Sequence, residues 1–260
     1  MSNTNSLRNS QEHDGGLVTG PVTRAHLAER GPAIWLAGDP EDLKVWLPRG
    51  GYGIVTNTVV LDDMTQKYGQ LTEVVQRYLD ITDKPVVVEI DGHTTSELLD
   101  VAHVFTRMSD QVIIKIPCAI QGLEAFAALA AEGVETFCTT TFNLTQAAVV
   151  AQAGATHILP FCEPYKEVGV DPVWHVQECV KMLAGWEQRP YVTAALVRSV
   201  DVAGAALHAG ADGIIVFWEV FRDMLASPLT DQWNATFLER WQTMHTSGLL
   251  DGVPVAETSH

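Results

Sequence analysis

Lys115 stands in Gln111-Val112-Ile113-Ile114-Lys115-Ile116-Pro117, a run of apolar and β-branched residues broken by one lysine and stopped by a proline. Such a run reads as a fully buried parallel strand. Burial penalises the ammonium form, so an unpaired lysine there titrates below its ordinary value of about 10.4. The neutral amine this leaves near neutral pH is the nucleophile that Schiff-base chemistry on a carbonyl requires. A lysine near a strand end also snorkels to solvent along its own stem. Its chemistry therefore depends on what stands beside it.

Four other polar residues close apolar runs. Asp39 follows Ala33–Gly38, Asn57 follows Gly53–Thr56, Glu89 nearly ends Pro85–Ile90, and Thr139 ends Val134–Thr139. Each has a plain structural use. Asp39 can cap a helix, Asn57 can supply a turn, and Thr139 suits a strand. Glu89 is harder to explain so, because a carboxylate among valines needs a partner. Together the five are an amine, two carboxylates, an amide and a hydroxyl on five consecutive strands.

The elements that must position them alternate along the chain. Asp39 precedes Pro40-Glu41-Asp42, which reads as an N-cap, a proline at the first helical position and acids in the first turn. A long helical pattern carries Leu71, Val74, Val75, Tyr78 and Leu79 on one stripe. Helices are expected over 96–108, along Leu123, Phe126, Ala127 and Leu129, over 146–153 and over 173–183. The remaining strands are 157–161, 191–197 and 213–217. Eight repeats of β then α predict an α/β fold, a (β/α)8 TIM barrel over residues 21–246 as one domain. A doubly wound sheet is the alternative, but the chain has no GxGxxG turn. Residues 1–20 read as a disordered lead-in, 22–30 as a short helix and 247–260 as a loose tail. A final helix with Trp233, Phe237, Leu238 and Trp241 lies outside the eight-fold count.

These residues resemble the transaldolase family, including the short fructose-6-phosphate aldolases. Asp39-Pro-Glu-Asp42 is similar to the strand-one motif, and Val55-Thr56-Asn57 to a Thr-Asn-Pro turn in which Thr58 here replaces proline. Val88-Glu89 resembles the glutamate strand. Ile114-Lys115-Ile116-Pro117, with Gln121-Gly122-Leu123 and Ala131-Glu132-Gly133-Val134, resembles the Schiff-base lysine region. Gln146, Ala153-Gly154-Ala155 and Pro160-Phe161 continue it, so the resemblance spans about residues 33–245.

The resemblance implies roles. Lys115 would attack a ketose carbonyl. Glu89, with a water held by Thr139, would protonate the hydroxyl leaving the carbinolamine. Asp39 would take the C4 hydroxyl proton as the C3–C4 bond breaks, and Asn57 would orient donor hydroxyls. The protonated imine is itself the electron sink, so no metal or organic cofactor is implied. Related aldolases carry Gln and Tyr where this chain has Glu89 and Phe161, which favours transfer of a three-carbon unit over its release. A dihydroxyacetone-type aldolase and a catalytically silent scaffold are the alternatives.

The substrate end departs from the family. Thr141, Phe161, Glu163, Leu196 and Arg198 are its candidate binding residues. The family directs an arginine after the Pro-Phe strand and a Ser-x-Arg or Ser-x-Lys on strand seven at phosphate. Here Pro164 stands near the first position, and Leu196 replaces the serine while Arg198 keeps the cation. One arginine near Glu163 is a thin phosphate cradle. A substrate other than the standard fructose 6-phosphate and erythrose 4-phosphate pair is therefore expected. Lys166, His93 and Arg222 are the possible compensating cations.

Composition bounds the rest. The chain has 260 residues, 47% of them hydrophobic, with 32 acidic against 16 basic side chains and a net charge of −16. That balance argues against nucleic-acid or anionic-membrane partners. No apolar run approaches the ~20 residues of a membrane span, and the N-terminus has no apolar signal core. Cys118, Cys138, Cys162 and Cys179 form no CxxC pair and read as thiols of a reducing compartment. Asn143-Leu144-Thr145 matches a glycosylation sequon that has no use without secretion. A cytoplasmic enzyme acting on a small sugar or sugar phosphate is expected, assembled as a homo-oligomer through its last helix.

Overall fold

The computed structural model describes residues 31–249 and 252. The expectations for residues 1–20, for the helix at 22–30 and for most of the tail lie outside them. Eight strands pair in chain order, all parallel, and close into a barrel: β1 (Ala33–Ala37), β2 (Gly53–Val55), β3 (Val86–Glu89), β4 (Val112–Pro117), β5 (Thr136–Thr141), β6 (His157–Pro160), β7 (Tyr191–Ala194) and β8 (Gly213–Phe217). Closure comes from β1 against β8, in register from Ala33↔Gly213 to Ala37↔Phe217. The fold is the (β/α)8 barrel that the alternation predicts.

The helices that ring the barrel are α1 (Pro40–Trp46), α2 (Thr58–Tyr68), α3 (Leu71–Asp80), α4 (Thr95–Thr106), α5 (Ile120–Ala131), α6 (Leu144–Gln152), α7 (Glu163–Glu167), α8 (Trp174–Leu183), α9 (Val200–His208) and α10 (Trp218–Asp223). A longer helix, α11 (Pro228–Thr246), follows them. Their starts are written in the sequence. Asn57, Thr94, Asn143 and Ser199 each accept a backbone N–H of the first helical turn. Asn143, the sequon asparagine, is thus a helix cap, with its Oδ1 also accepting from the Thr145 hydroxyl at 2.7 Å.

Several boundaries differ from the sequence reading, among them β5, which runs Thr136–Thr141 rather than 134–139 and so holds Thr139 inside the strand. The stripe from Leu71 to Leu79 is α3 alone, separated from α2 by Gly69 at φ 100°, a left-handed position that ends α2, and by a Gln70–Glu73 capping box that starts α3. Strand β7 stops at Ala194. Ala195 still bridges to Phe161, but Leu196 turns to φ 52° and leaves the sheet.

Two apolar layers hold the barrel. The larger lies between strands and helices and includes Leu36, Ile54, Tyr78, Val88, Ile114, Phe126 and Ile158. The smaller fills the interior with Trp35, Val55, Val87, Ile113, Phe137, Leu159 and Ala195. Trp35 needs room there. A Cβ on Gly53 would meet its ring at 2.5 Å and the Pro85 carbonyl at 2.7 Å, so only glycine fits opposite the indole. The four cysteines are free; Cys118 is half-buried and the others are buried.

Candidate active site

Strand side chains alternate faces with a period of two. Two residues beyond the interior layer, the chain therefore presents its inward side chains at the C-terminal mouth. From Trp35, Val55, Val87, Ile113, Phe137, Leu159 and Ile215 this step gives Ala37, Asn57, Glu89, Lys115, Thr139, Phe161 and Phe217. All seven line one cavity of about 390 Å³. It opens at the end of the barrel where catalytic residues of this fold gather.

Lys115 and Glu89 are register partners on β4 and β3. Both are nearly buried, and Lys115 Nζ lies 2.7 Å from Glu89 Oε2. The same ammonium donates to the Thr56 carbonyl at 2.8 Å. Thr56, the residue after β2, in turn ties that strand to β3: its hydroxyl donates to the Val87 carbonyl at 2.9 Å and accepts the Glu89 N–H at 3.1 Å. Burial pushes the Lys115 amine below the ordinary lysine range, and the Glu89 carboxylate opposes that only in part.

Thr139 Oγ1 is buried and has no hydrogen-bond partner in the structure. Such a hydroxyl is able to bond a water or ligand in the cavity. Asn57 serves twice. Its Oδ1 caps α2 through the Val60 N–H at 2.8 Å, while the residue also lines the cavity. Phe161, Leu196 and Arg198 line it as well, the last exposed at the mouth.

Three predicted residues stand elsewhere. Asp39 is not among the lining residues. β1 ends at Ala37, Gly38 turns the chain at φ 141°, and Asp39 becomes the N-cap of α1, accepting the Glu41 N–H at 2.9 Å. Its carboxylate also takes Lys67 Nζ at 2.5 Å and the Tyr68 hydroxyl at 2.7 Å, both from α2. Partial burial pushes Asp39 up, but these hydrogen bonds outweigh it and hold the carboxyl below its usual range. Ala37 occupies the inward position on β1 instead. Thr141 is fully buried with an unpartnered hydroxyl, and Glu163 opens α7 within 3.9 Å of Lys166; neither lines the cavity.

The sequence reading missed several residues. Thr56 lay inside the quoted Val55-Thr56-Asn57 turn, but its bridging role depends on the barrel's closure. Val59, Val60 and Asp63 reach the cavity from the first turns of α2, and their spacing could have marked one helical face. Thr140, also missed, and Leu196, already a candidate, are the two non-glycine residues with positive φ among those described, at 58° and 52°, and both line the cavity. Strain of this kind gathers at functional sites.

The family model for transaldolase/fructose-6-phosphate aldolase matches residues 57–246. The chain belongs to this family. The match begins at Asn57, so it contains Glu89, Lys115, Thr139 and Phe161 but stops short of Asp39. A relative named probable transaldolase from Thermoplasma volcanium is 28% identical over 197 residues, covering 75% of this chain and 88% of its own. Probable transaldolase 2 of Listeria monocytogenes is 28% identical over 190 residues, covering 73% and 86%. The structure of FabK from Thermotoga maritima is similar at a TM-score of 0.50 and 18% identity, covering 73% of this chain and 58% of that one, a likeness of fold alone. No helix among the described residues is long and apolar enough to cross a membrane.

Proposed function

We propose that the protein is a class I, Schiff-base transaldolase-type transferase that moves a dihydroxyacetone-type unit from a ketose to an aldehyde. The observation that carries this reading is the Lys115–Glu89 contact of 2.7 Å at the mouth of the barrel, inside the region matched by the family. Lys115 attacks the ketose carbonyl as a neutral amine, which its depressed pKa favours. Glu89, with a water on the free Thr139 hydroxyl, protonates the departing hydroxyl of the carbinolamine. The iminium then accepts the electron pair of the cleaved C–C bond. Asn57 orients donor hydroxyls from the capped end of α2.

Asp39, expected as the base for the C4 hydroxyl, is engaged with Lys67 and Tyr68. Glu89 and cavity water take over that proton in this reading. Borohydride reduction in the presence of dihydroxyacetone, followed by peptide mass mapping, is the test. The label belongs on Lys115 and disappears in Lys115→Met; a label on another lysine overturns the assignment.

The phosphate end is reduced. Of the cations considered, Lys166, His93 and Arg222 do not line the cavity, and Arg198 stands there beside an apolar Leu196. Each missing charge-assisted contact weakens phosphate binding by about 1.5–3 kcal/mol. A substrate pair other than the standard phosphorylated one follows. Ordinary efficiency on fructose 6-phosphate and erythrose 4-phosphate in steady-state comparison would overturn this point. We further propose that the working form is a cytoplasmic homo-oligomer assembled through α11.

A further inference from the structure

The cavity has two unlike arcs. From β2 to β5 it presents Asn57, Glu89, Lys115 and Thr139, together with the threonines beside them and with Val59, Val60 and Asp63 of α2. From β6 round to β1 it presents Phe161, Leu196, Val197, Ile215, Phe217 and Ala37. The side chains of this second arc are apolar except for Arg198, which is exposed at the rim. Leu196 is held there at φ 52°, where glycine or asparagine would sit without strain. The backbone thus accepts an unfavourable conformation where it brings an isobutyl group to the cavity. Phe217, 39% exposed at the end of β8, extends the same surface outward.

We propose that the apolar arc is the acceptor subsite, and that it takes an unphosphorylated aldehyde with an aliphatic or aromatic body. The proposal rests on the Schiff-base reading of Lys115 and names the acceptor that reading leaves open. A polyol lying against Leu196, Val197 and Phe217 would give up hydrogen bonds to water and find only the exposed Arg198 guanidinium at the rim in return. A hydrocarbon chain or ring there removes apolar surface from water on both sides. In the step itself, the enamine carbon held on Lys115 attacks the aldehyde carbon and a C–C bond forms. The carbonyl π pair moves to oxygen, which takes a proton delivered from Glu89 through cavity water, while the enamine nitrogen becomes the iminium. Water then hydrolyses the iminium, releasing the lengthened ketol and the free Lys115 amine.

The test uses the full chain with dihydroxyacetone as donor. It compares kcat/KM for butanal and 3-phenylpropanal with that for erythrose and erythrose 4-phosphate. The expected result is a preference for the apolar aldehydes of at least about tenfold, the size a hydrophobic pocket gives for small changes in bulk. Leu196→Ser and Phe217→Ser should each reduce that preference about tenfold. Equal or better use of the polyols overturns the proposal. A parallel calorimetric measurement on wild type and on Lys115→Met, which forms no imine, compares 3-phenylpropan-1-ol with erythritol 4-phosphate. Selective binding of the aromatic alcohol that Phe217→Ser abolishes upholds the subsite even where no imine is trapped, and then only the Schiff-base reading falls. Tighter binding of the polyol phosphate, or binding of neither, overturns the subsite whatever the turnover.

Discussion

Lys115 and Glu89 face each other across β4 and β3, with 2.7 Å between the amine nitrogen and the carboxylate oxygen. Their contributions to the lysine's titration are opposed. Burial lowers its pKa, and Glu89 raises it by charge and hydrogen bond. In the proposed Schiff-base reaction the nucleophile is the free amine, whose fraction rises with pH through that pKa. The rate of borohydride-trappable imine formation should therefore climb at lower pH than for an ordinary lysine near 10.4. Glu89→Gln removes the raising influence, so the rising limb should move to still lower pH. The plateau should fall by about 10²–10⁴, the usual worth of a positioned acid or base. A limb that moves to higher pH in Glu89→Gln would contradict the assignment. Stability follows the same linkage. The unfolded chain holds the lysine proton to higher pH than the folded one, so this group's contribution rises with pH between the two values.

Asp39 separates two roles that the sequence left together. As a cap and ion-pair partner it should matter for stability and little for turnover. Asp39→Asn keeps a capping side chain and should leave ketose-to-aldehyde turnover within about threefold, whereas loss of the base for the C4 hydroxyl proton would cost about 10²-fold or more. Asp39→Ala should cost about 1 kcal/mol in urea unfolding from the lost cap. The carboxyl's folded pKa is depressed. Its stabilising contribution is therefore present above its unfolded value and fades as pH falls through the lower, folded one. The difference in stability between wild type and Asp39→Asn should shrink along that course.

The barrel and the Lys115, Glu89 and Thr139 triplet were legible because strands and helices have different periods. A single apolar run names its own inward positions once one of them is fixed. Asp39 shows where that reading stops. In sequence it follows β1 as Asn57 follows β2, and both cap helices. Counting by twos from Trp35 would have pointed to Ala37, but nothing in the sequence alone says that Trp35 faces inward. That follows from the closure of β1 on β8, a contact between the first and last strands. The Leu196 turn was hidden for a similar reason. A leucine in the left-handed region has no local signal, because the surrounding fold imposes the conformation.

The last helix bears on assembly. Every residue of Pro228–Thr246 is exposed, and Trp233, Phe237, Leu238 and Trp241 are between 47% and 62% accessible. Trp233 and Phe237 lie against each other one turn apart, their rings tilted by 37° with centroids 5.5 Å apart. Apolar patches of this kind mark protein contacts. Multi-angle light scattering at micromolar concentration should give an oligomer that Trp233→Glu with Phe237→Glu dissociates. A monomer in wild type would contradict assembly through this surface.

Thr139 provides the sharpest contrast between stability and function. Its hydroxyl is buried in the cavity wall without a protein partner, so removing it breaks no intramolecular hydrogen bond. Valine keeps the β-branched shape that suits β5 and its neighbours. Thr139→Val should therefore leave thermal stability unchanged or raise it by up to about 1 kcal/mol, since an unpaired buried hydroxyl carries a desolvation cost. On the proposed mechanism imine formation should nevertheless slow by about 10²-fold, because a water relaying the Glu89 proton would lose its anchor. Thr139→Ser, which restores the hydroxyl without the methyl, should recover most of the rate and lose some stability. Equal trapping rates in all three proteins would remove Thr139 from the proton path and leave it as strand structure alone.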